Sequence, residues 1–339
     1  MRDKELMTTP DHASLLKVMD LYNACKLESA SQSPNKSKIR ALVLQMTEQL
    51  LGFGRETDSI FYGYQRLPKL SDALLPLLNA DISYSPILDD FFTVVEGILL
   101  YEDLILSERI ELFAKFTLMR HGETIYTNKG IDLTESGEQK VLSKKDILSG
   151  YVDKQKETVI LVSSGVARTN GTLQLIFPDE ERYTSDLVHI LQIQNRQKAV
   201  EWMTKQFDST MTPAQSIAVA DRLFVERKLP ETLFEPYSET EKQFFYSAEV
   251  ALRFASKLKK QRGKVPHFFV VGHIEFLNHL VMPIFDLQVG NTVGPAEHIE
   301  ICVLAKNGVL DATLVPLIVR FRNRVAKVYL NRQKGYIQK

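Results

Sequence analysis

The sequence predicts a three-layer α/β/α domain with a mainly parallel central sheet, preceded by an all-α module. Three observations lead there. Residues 1–115 carry apolar stripes at helical spacing. From Phe116 onward, short apolar runs (Phe116–Met119, Val159–Val162, Phe268–Val271) alternate with long helical stretches (Leu187–Phe207, Ser238–Lys260), the pattern of strands joined by crossover helices. With 44% apolar and 25% charged residues over 339 positions, the chain has the composition for a sizeable core. The expected division is 1–115 for the helical module and 116–339 for the α/β domain.

The first helix shows Leu15, Val18, Met19 and Tyr22 on one face, with Asp11 after Pro10 as its cap. A polar loop from Ser29 to Ser37 follows. The second helix carries Ile39, Leu42, Val43, Met46 and Leu50, and a third, from about Pro86 to Phe113, carries Phe91, Val94, Val95, Ile98 and Leu99. Such stripes read as core positions. Because isolated helices are marginal in water, the module needs a partner surface: the α/β domain, a second copy in a homodimer, or another protein. Near the end, Ile299–Leu304 and Val309–Val319 flank Lys306-Asn307-Gly308, a hairpin signal that predicts an antiparallel edge pair.

Charge and cysteine content exclude several classes of function. Lys+Arg and Asp+Glu are both 42, so a coat for nucleic acid or anionic membrane is not expected. Cys25 and Cys302 alone make neither a disulfide framework nor a zinc cluster. The charged start Met1-Arg2-Asp3-Lys4-Glu5 leads into no apolar signal segment, and no apolar run approaches the roughly 18–20 residues that span a bilayer. The expectation is a cytoplasmic protein. His267, His273 and His279 recur every sixth residue, no common ligand spacing, so no metal is expected. Gly52-Phe53-Gly54 follows a helical run rather than a strand, and no G-x-x-x-x-G-K-[S/T] occurs, so no nucleotide cofactor is expected either.

In a parallel sheet, functional groups gather where strands end. Three expected strand ends deliver cationic or imidazole side chains: Arg120-His121-Gly122-Glu123-Thr124, then Ser163-Ser164 with Arg168 beyond, then Gly272-His273. Two arginines and two histidines at one sheet edge would form a local cationic pocket in a neutral protein. Arginine forks match phosphoryl oxygens bidentately, so the pattern points to a phosphorylated ligand, either a small molecule or a phosphoprotein. Ser163 and Ser164 read as turn-shaping residues.

These motifs resemble those of the histidine phosphatase superfamily, the phosphoglycerate mutase-like branch with R-H-G-E-T. Leu133-Thr134-Glu135-Ser136-Gly137-Glu138-Gln139 is similar to its L-T-x-x-G-x-x-Q pattern, with the glutamine one place early, and Ser163-Ser164-Gly165-Val166-Ala167-Arg168 with Thr172 fits S-S-x-x-x-R-x-x-x-T. The resemblance covers roughly Phe116 to Leu304. It implies a metal-independent phosphomonoesterase in which His121 attacks phosphorus and forms a phosphohistidine. Arg120, Arg168 and His273 would hold the phosphoryl oxygens, joined by Asn128, which stands one place later than the family's asparagine. Neighbouring Arg120 and Arg168 would keep the His121 imidazole neutral. The acid would be Glu226, in Phe224-Val225-Glu226-Arg227, with Glu231 and Glu235 as competitors. Two other readings stay open: a phosphoglycerate mutase-like phosphotransferase, and a non-catalytic scaffold that binds a phospho-ligand while its helical module mediates protein interaction.

Overall fold

The computed structural model describes residues 12–53, 61–80, 83–108, 110–124, 130–150, 152–188, 190–208, 210–288 and 291–339. Asp11, Gly54 and Asn128 lie outside them. By contacts the chain divides into two compact units.

The first unit comprises Met1–Phe113, Cys302–Asp311 and Pro316–Lys327, so late segments of the chain join the N-terminal helices. Four helices form its helical part: α1 (His12–Ser29), α2 (Lys36–Gly52), α3 (Tyr62–Asn79) and α4 (Ser85–Glu108). The stripes of α2 and α4 are buried as the periodicity requires, with Ile39, Val43, Met46 and Leu50 on α2 and Phe91, Val94, Val95 and Ile98 on α4. On α1 Leu15 and Val18 are buried, but Met19, expected beside them, is exposed because Cys25 rather than Met19 continues the buried face. Asn35 caps α2 by accepting from the Lys38 backbone N–H at 3.1 Å. α4 stops at Glu108, and strand β1 (Ile110–Arg120) begins at once, so the expected helix to Phe113 is too long. The β1 segment Ile-Glu-Leu-Phe-Ala-Lys-Phe-Thr-Leu-Met-Arg is buried along almost its whole length; its first residues satisfy a strand as well as a helical stripe.

The second unit comprises Ala114–Ile301, Ala312–Val315 and Val328–Lys339. In chain order its elements after β1 are α5 (Glu135–Ser149), β2 (Glu157–Ser163), α6 (Ala167–Ile176), β3 (Arg182–Thr184), α7 (Arg196–Thr204), α8 (Pro213–Val225), α9 (Tyr237–Arg262), β4 (Val265–Gly272) and α10 (Ile274–Phe285). Strands β5 (His298–Lys306), β6 (Leu314–Phe321), β7 (Arg324–Asn331) and β8 (Tyr336–Gln338) complete an eight-stranded sheet in the order β3-β2-β4-β1-β5-β6-β7-β8. β2 pairs in parallel with β3 and β4, and β4 with β1.

From β1 the chain steps by way of α5 and α6 toward the β3 edge, then returns through α7–α10. Right-handed crossovers place helices of outward and return steps on opposite faces, which is the three-layer arrangement. α5 packs with α6, and α10 packs with α8 and α9. Covered on both faces, β4 reads Val-Pro-His-Phe-Phe-Val-Val-Gly, nearly continuous apolar residues rather than an alternation.

Two further expectations need correcting. The long helix over 187–207 is only α7, because Asn195 caps a helix there by accepting from Lys198 N–H at 3.1 Å. The Asn307-Gly308 turn exists, with both residues at positive φ, but β5 and β6 beside it are interior strands. The antiparallel edge pair is β7–β8. Among the described residues no helix is long and apolar enough to cross a membrane.

Candidate active site

Strand register assembles the site. β1 and β4 align Arg120 with Gly272, and β2 and β4 align Ser163 with Val271. The residues that follow each strand, His121, Ser164 and His273, therefore leave the sheet side by side at its carboxyl edge. The His121 and His273 rings meet edge to face at 5.2 Å between centroids. Ser164 Oγ lies 2.8 Å from His273 Nε2. Ser163 shapes the turn instead: its hydroxyl meets Asn170 Oδ1 and accepts from Gly165 N–H at 3.1 Å.

The loop after His121 is held from two helices. Gly122 N–H donates to Thr172 Oγ1 on α6, and the Thr172 hydroxyl donates to the Arg168 carbonyl. Thr134 caps α5 through Gly137 N–H at 2.9 Å, while its own N–H donates to the Glu123 carbonyl. Gly137 is required here: a Cβ would sit 2.4 Å from Glu123 O and 2.8 Å from Glu123 N. The serine, threonine and glycine positions of the sequence motifs are thus the joints that dock α5 and α6 on the His121 loop.

His121 is buried, and its Nδ1 lies 2.7 Å from the Gly122 carbonyl oxygen. A carbonyl can only accept, so Nδ1 carries the proton and Nε2 carries the lone pair of the neutral ring. Burial pushes its pKa down to about 3; the Gly122 carbonyl opposes this, and the Arg120 and Arg168 guanidiniums add to it. The imidazole is neutral throughout the physiological range.

Arg120 is buried and grips Asp221 of α8 through both ends of its fork, Nη1 to Oδ2 at 2.8 Å and Nη2 to Oδ1 at 3.2 Å. Nη1 also donates to the Val293 carbonyl at 2.8 Å. Burial pushes the Asp221 carboxyl above its ordinary value against the pull of Arg120. A second carboxylate, Glu275, stands in the first turn of α10, two residues beyond His273. Burial raises its pKa; its own backbone N–H opposes this, the Asp221 charge reinforces it, and Arg120 and Arg168 again oppose it. Around His121 and His273 the electrostatics thus couple Arg120, Arg168 and two carboxyl groups of raised pKa, Asp221 and Glu275.

Glu226 has a different environment. It caps the C-terminus of α8, five residues beyond Asp221, and pairs with Lys228 at 2.7 Å, which holds its carboxyl below the usual range. Glu231 is exposed, and Glu235 accepts from Gln192 N–H at 3.1 Å. Sequence reasoning missed Asp221 and Glu275. The Thr212-Pro213-Ala214-Gln215 capping box announces α8 and could have placed Asp221 on a helix. Glu275 was readable as an acidic residue opening the helix after His273. Among the described residues no group of three or more His, Cys, Asp or Glu is arranged to hold a metal ion.

No family model matches the chain, and no curated protein matches it. Solved structures do. A phosphoglycerate mutase from Bacillus anthracis is 14% identical over 62% of this chain and 92% of its own, with a TM-score of 0.39. A mycobacterial glucosyl-3-phosphoglycerate phosphatase, complexed with VO3, is 14% identical over 62% of this chain and 98% of its own, at 0.37. A protein titled mycobacterial hydrolase 1 is 13% identical over 63% and 99%, at 0.40.

Proposed function

We propose that the protein hydrolyses a phosphomonoester through a phosphohistidine on His121. The observation that carries this reading is the His121 ring itself: neutral, with Nδ1 committed to Gly122, so that Nε2 carries the lone pair, within the field of Arg120 and Arg168 and edge to face with His273. Nε2 attacks phosphorus as the P–O ester bond breaks. Arg120 and Arg168 take the charge that spreads over the phosphoryl oxygens. His273 joins them only in its doubly protonated form, because the single proton of the neutral ring lies on Nε2 and is given to Ser164. Phosphorylation at Nε2 makes the ring cationic, and the Gly122 carbonyl supports that charge through Nδ1–H.

The departing alkoxide needs a proton. Glu226 is ill suited, since a carboxyl held low by Lys228 is ionised. Asp221 has both oxygens engaged by Arg120. We assign the acid to Glu275, whose raised pKa keeps the protonated form accessible. It donates to the leaving oxygen, then accepts a proton from the water that attacks the phosphohistidine, which restores both groups.

Rapid quenching with phosphorus-labelled aryl phosphate tests the reading. It should trap an acid-labile, base-stable phosphoenzyme that His121→Ala abolishes along with turnover. Wild-type turnover in the mutant would reject it. A second alcohol in the assay separates transfer from hydrolysis.

A further inference from the structure

A guanidinium has five N–H donors, and the described residues take three of those on Arg120. Asp221 takes one from each Nη, at the end of the fork. The Val293 carbonyl takes the remaining proton of Nη1, on the flank beside the arginine stem. That leaves Nε–H and the second Nη2–H, which point in parallel from the opposite flank. Nε is buried with no hydrogen-bond partner among the described residues. A buried donor without an acceptor is uncommon and calls for a reason. A parallel pair of donors is what two phosphoryl oxygens accept.

We propose that Asp221 is a positioning residue, which pins the end of the Arg120 fork so that the Nε/Nη2 edge is presented to the phosphoryl group. The proposal rests on the pocket's being a phosphate site. Asp221 acts from α8, an element outside the three strand-end motifs, and it is itself mostly enclosed. Its both-oxygen grip, with the Val293 bond on the third side, leaves the guanidinium no freedom to turn the Nε edge away.

The competing role is that of a plug: Asp221 as a carboxylate standing where phosphate binds and expelled by it. The two roles predict opposite signs. Removing a negative charge beside an anion site should by itself tighten anion binding. Losing the clamp should weaken it.

The test measures inorganic phosphate binding to the full-length protein by calorimetry, alongside steady-state kinetics. Asp221→Asn should weaken phosphate by about tenfold or more, the scale of one lost charge-assisted hydrogen bond. KM for p-nitrophenyl phosphate should rise in proportion, with the ratio of aryl to alkyl phosphate turnover unchanged. Asp221→Glu should recover part of the loss, and in an Arg120→Ala background Asp221→Asn should add nothing. Tighter phosphate binding, unchanged binding, or a loss confined to alkyl phosphates would each overturn the proposal. In wild-type protein, carrying no risk of misfolding, phosphate should move the Arg120 Nε–H resonance and leave the Asp221 carboxyl carbon in place. Movement of that carbon would mean release of the fork, and would also overturn it. Phosphate binding needs no turnover, so an inert wild type whose phosphate affinity still depends on Asp221 would reject hydrolysis and uphold the clamp.

Discussion

His273 donates from Nε2 to Ser164 Oγ, and two neighbouring bonds fix that direction. The Thr169 hydroxyl gives its one proton to the Val166 carbonyl at 2.9 Å, so it can only accept from Ser164 at 3.1 Å. Ser164, its proton spent, must accept from His273 at 2.8 Å. A chain of hydroxyls at the start of α6 thereby sets the tautomer of the histidine that caps α10.

Ser164→Ala should accordingly lower kcat/KM by about tenfold, as expected for one functional hydrogen bond lost in the transition state. The fold should survive, since Ser163 rather than Ser164 builds the turn. Nitrogen–proton correlation spectra of the wild type should place the His273 proton on Nε2. A proton found on Nδ1 alone would refute the assignment.

The two carboxylates offered for the acid role separate by leaving group. Glu275→Gln should slow alkyl phosphate hydrolysis by about two orders of magnitude or more, the usual scale of general acid catalysis, and affect p-nitrophenyl phosphate much less. Glu226→Gln should match wild type on both substrates, because it removes only an exposed pair with Lys228. A selective loss in Glu226→Gln would return the role to that residue.

This contrast marks what the sequence could convey. Arg120, His121 and His273 were legible because each sits at or just past a strand, and strand register brings such positions together. Arg168 was legible because the short turn after β2 leads straight into α6. Asp221 and Glu275 were not, because their relation to Arg120 depends on how α8 and α10 lie against the sheet edge. Local pattern does not encode that. The helix-to-strand junction at Ile110 was missed for a different reason: a fully buried strand has no alternation, and its apolar run continues the stripe of α4.

Gly137 makes a prediction about how the loop after His121 is built. Alanine there would force its Cβ to 2.4 Å from the Glu123 carbonyl, the same oxygen that accepts from Thr134 N–H. Backbone cannot yield as a flexible side chain would, so Gly137→Ala should cost about 1–3 kcal/mol in stability. It should also depress kcat/KM through displacement of Gly122 and His121. Gly52→Ala is the control, since a Cβ there meets nothing within 4 Å. Equal melting temperatures for the two variants would show that α5 does not clamp this loop.

A buried charge cluster at the other end of the same strands governs the response to acid. Lys115 Nζ lies 2.6 Å from Glu157 Oε1, and His267 Nδ1 lies 3.3 Å from Glu157 Oε2, all three side chains fully enclosed. Thr117 Oγ1 meets His267 Nε2 at 3.2 Å, and Glu300 adds a further negative charge nearby. Burial first, then Lys115, pushes the His267 pKa down to about 4 against the pull of Glu157 and Glu300. With His121 at about 3, the folded protein contains two histidines that refuse protons the unfolded chain accepts below about 6.5. Both folded values lie below the unfolded one, so their contribution is fully present above about pH 6.5. It is lost as pH falls, at up to about 1.4 kcal/mol per pH unit for each histidine. The raised Asp221 and Glu275 carboxyls contribute with the opposite sign, so the difference between variants isolates the histidine. In denaturant titrations at pH 7, 5.5 and 4.5, wild-type stability should fall more steeply with acid than that of His267→Gln, by up to about 1.4 kcal/mol per pH unit. The glutamine amide can still donate to Glu157, so the variant separates titration from simple loss of a buried partner. A pH slope in His267→Gln equal to that of the wild type would show that this imidazole protonates in the fold at no cost, and the enclosed cluster around Glu157 would then have to be open to water.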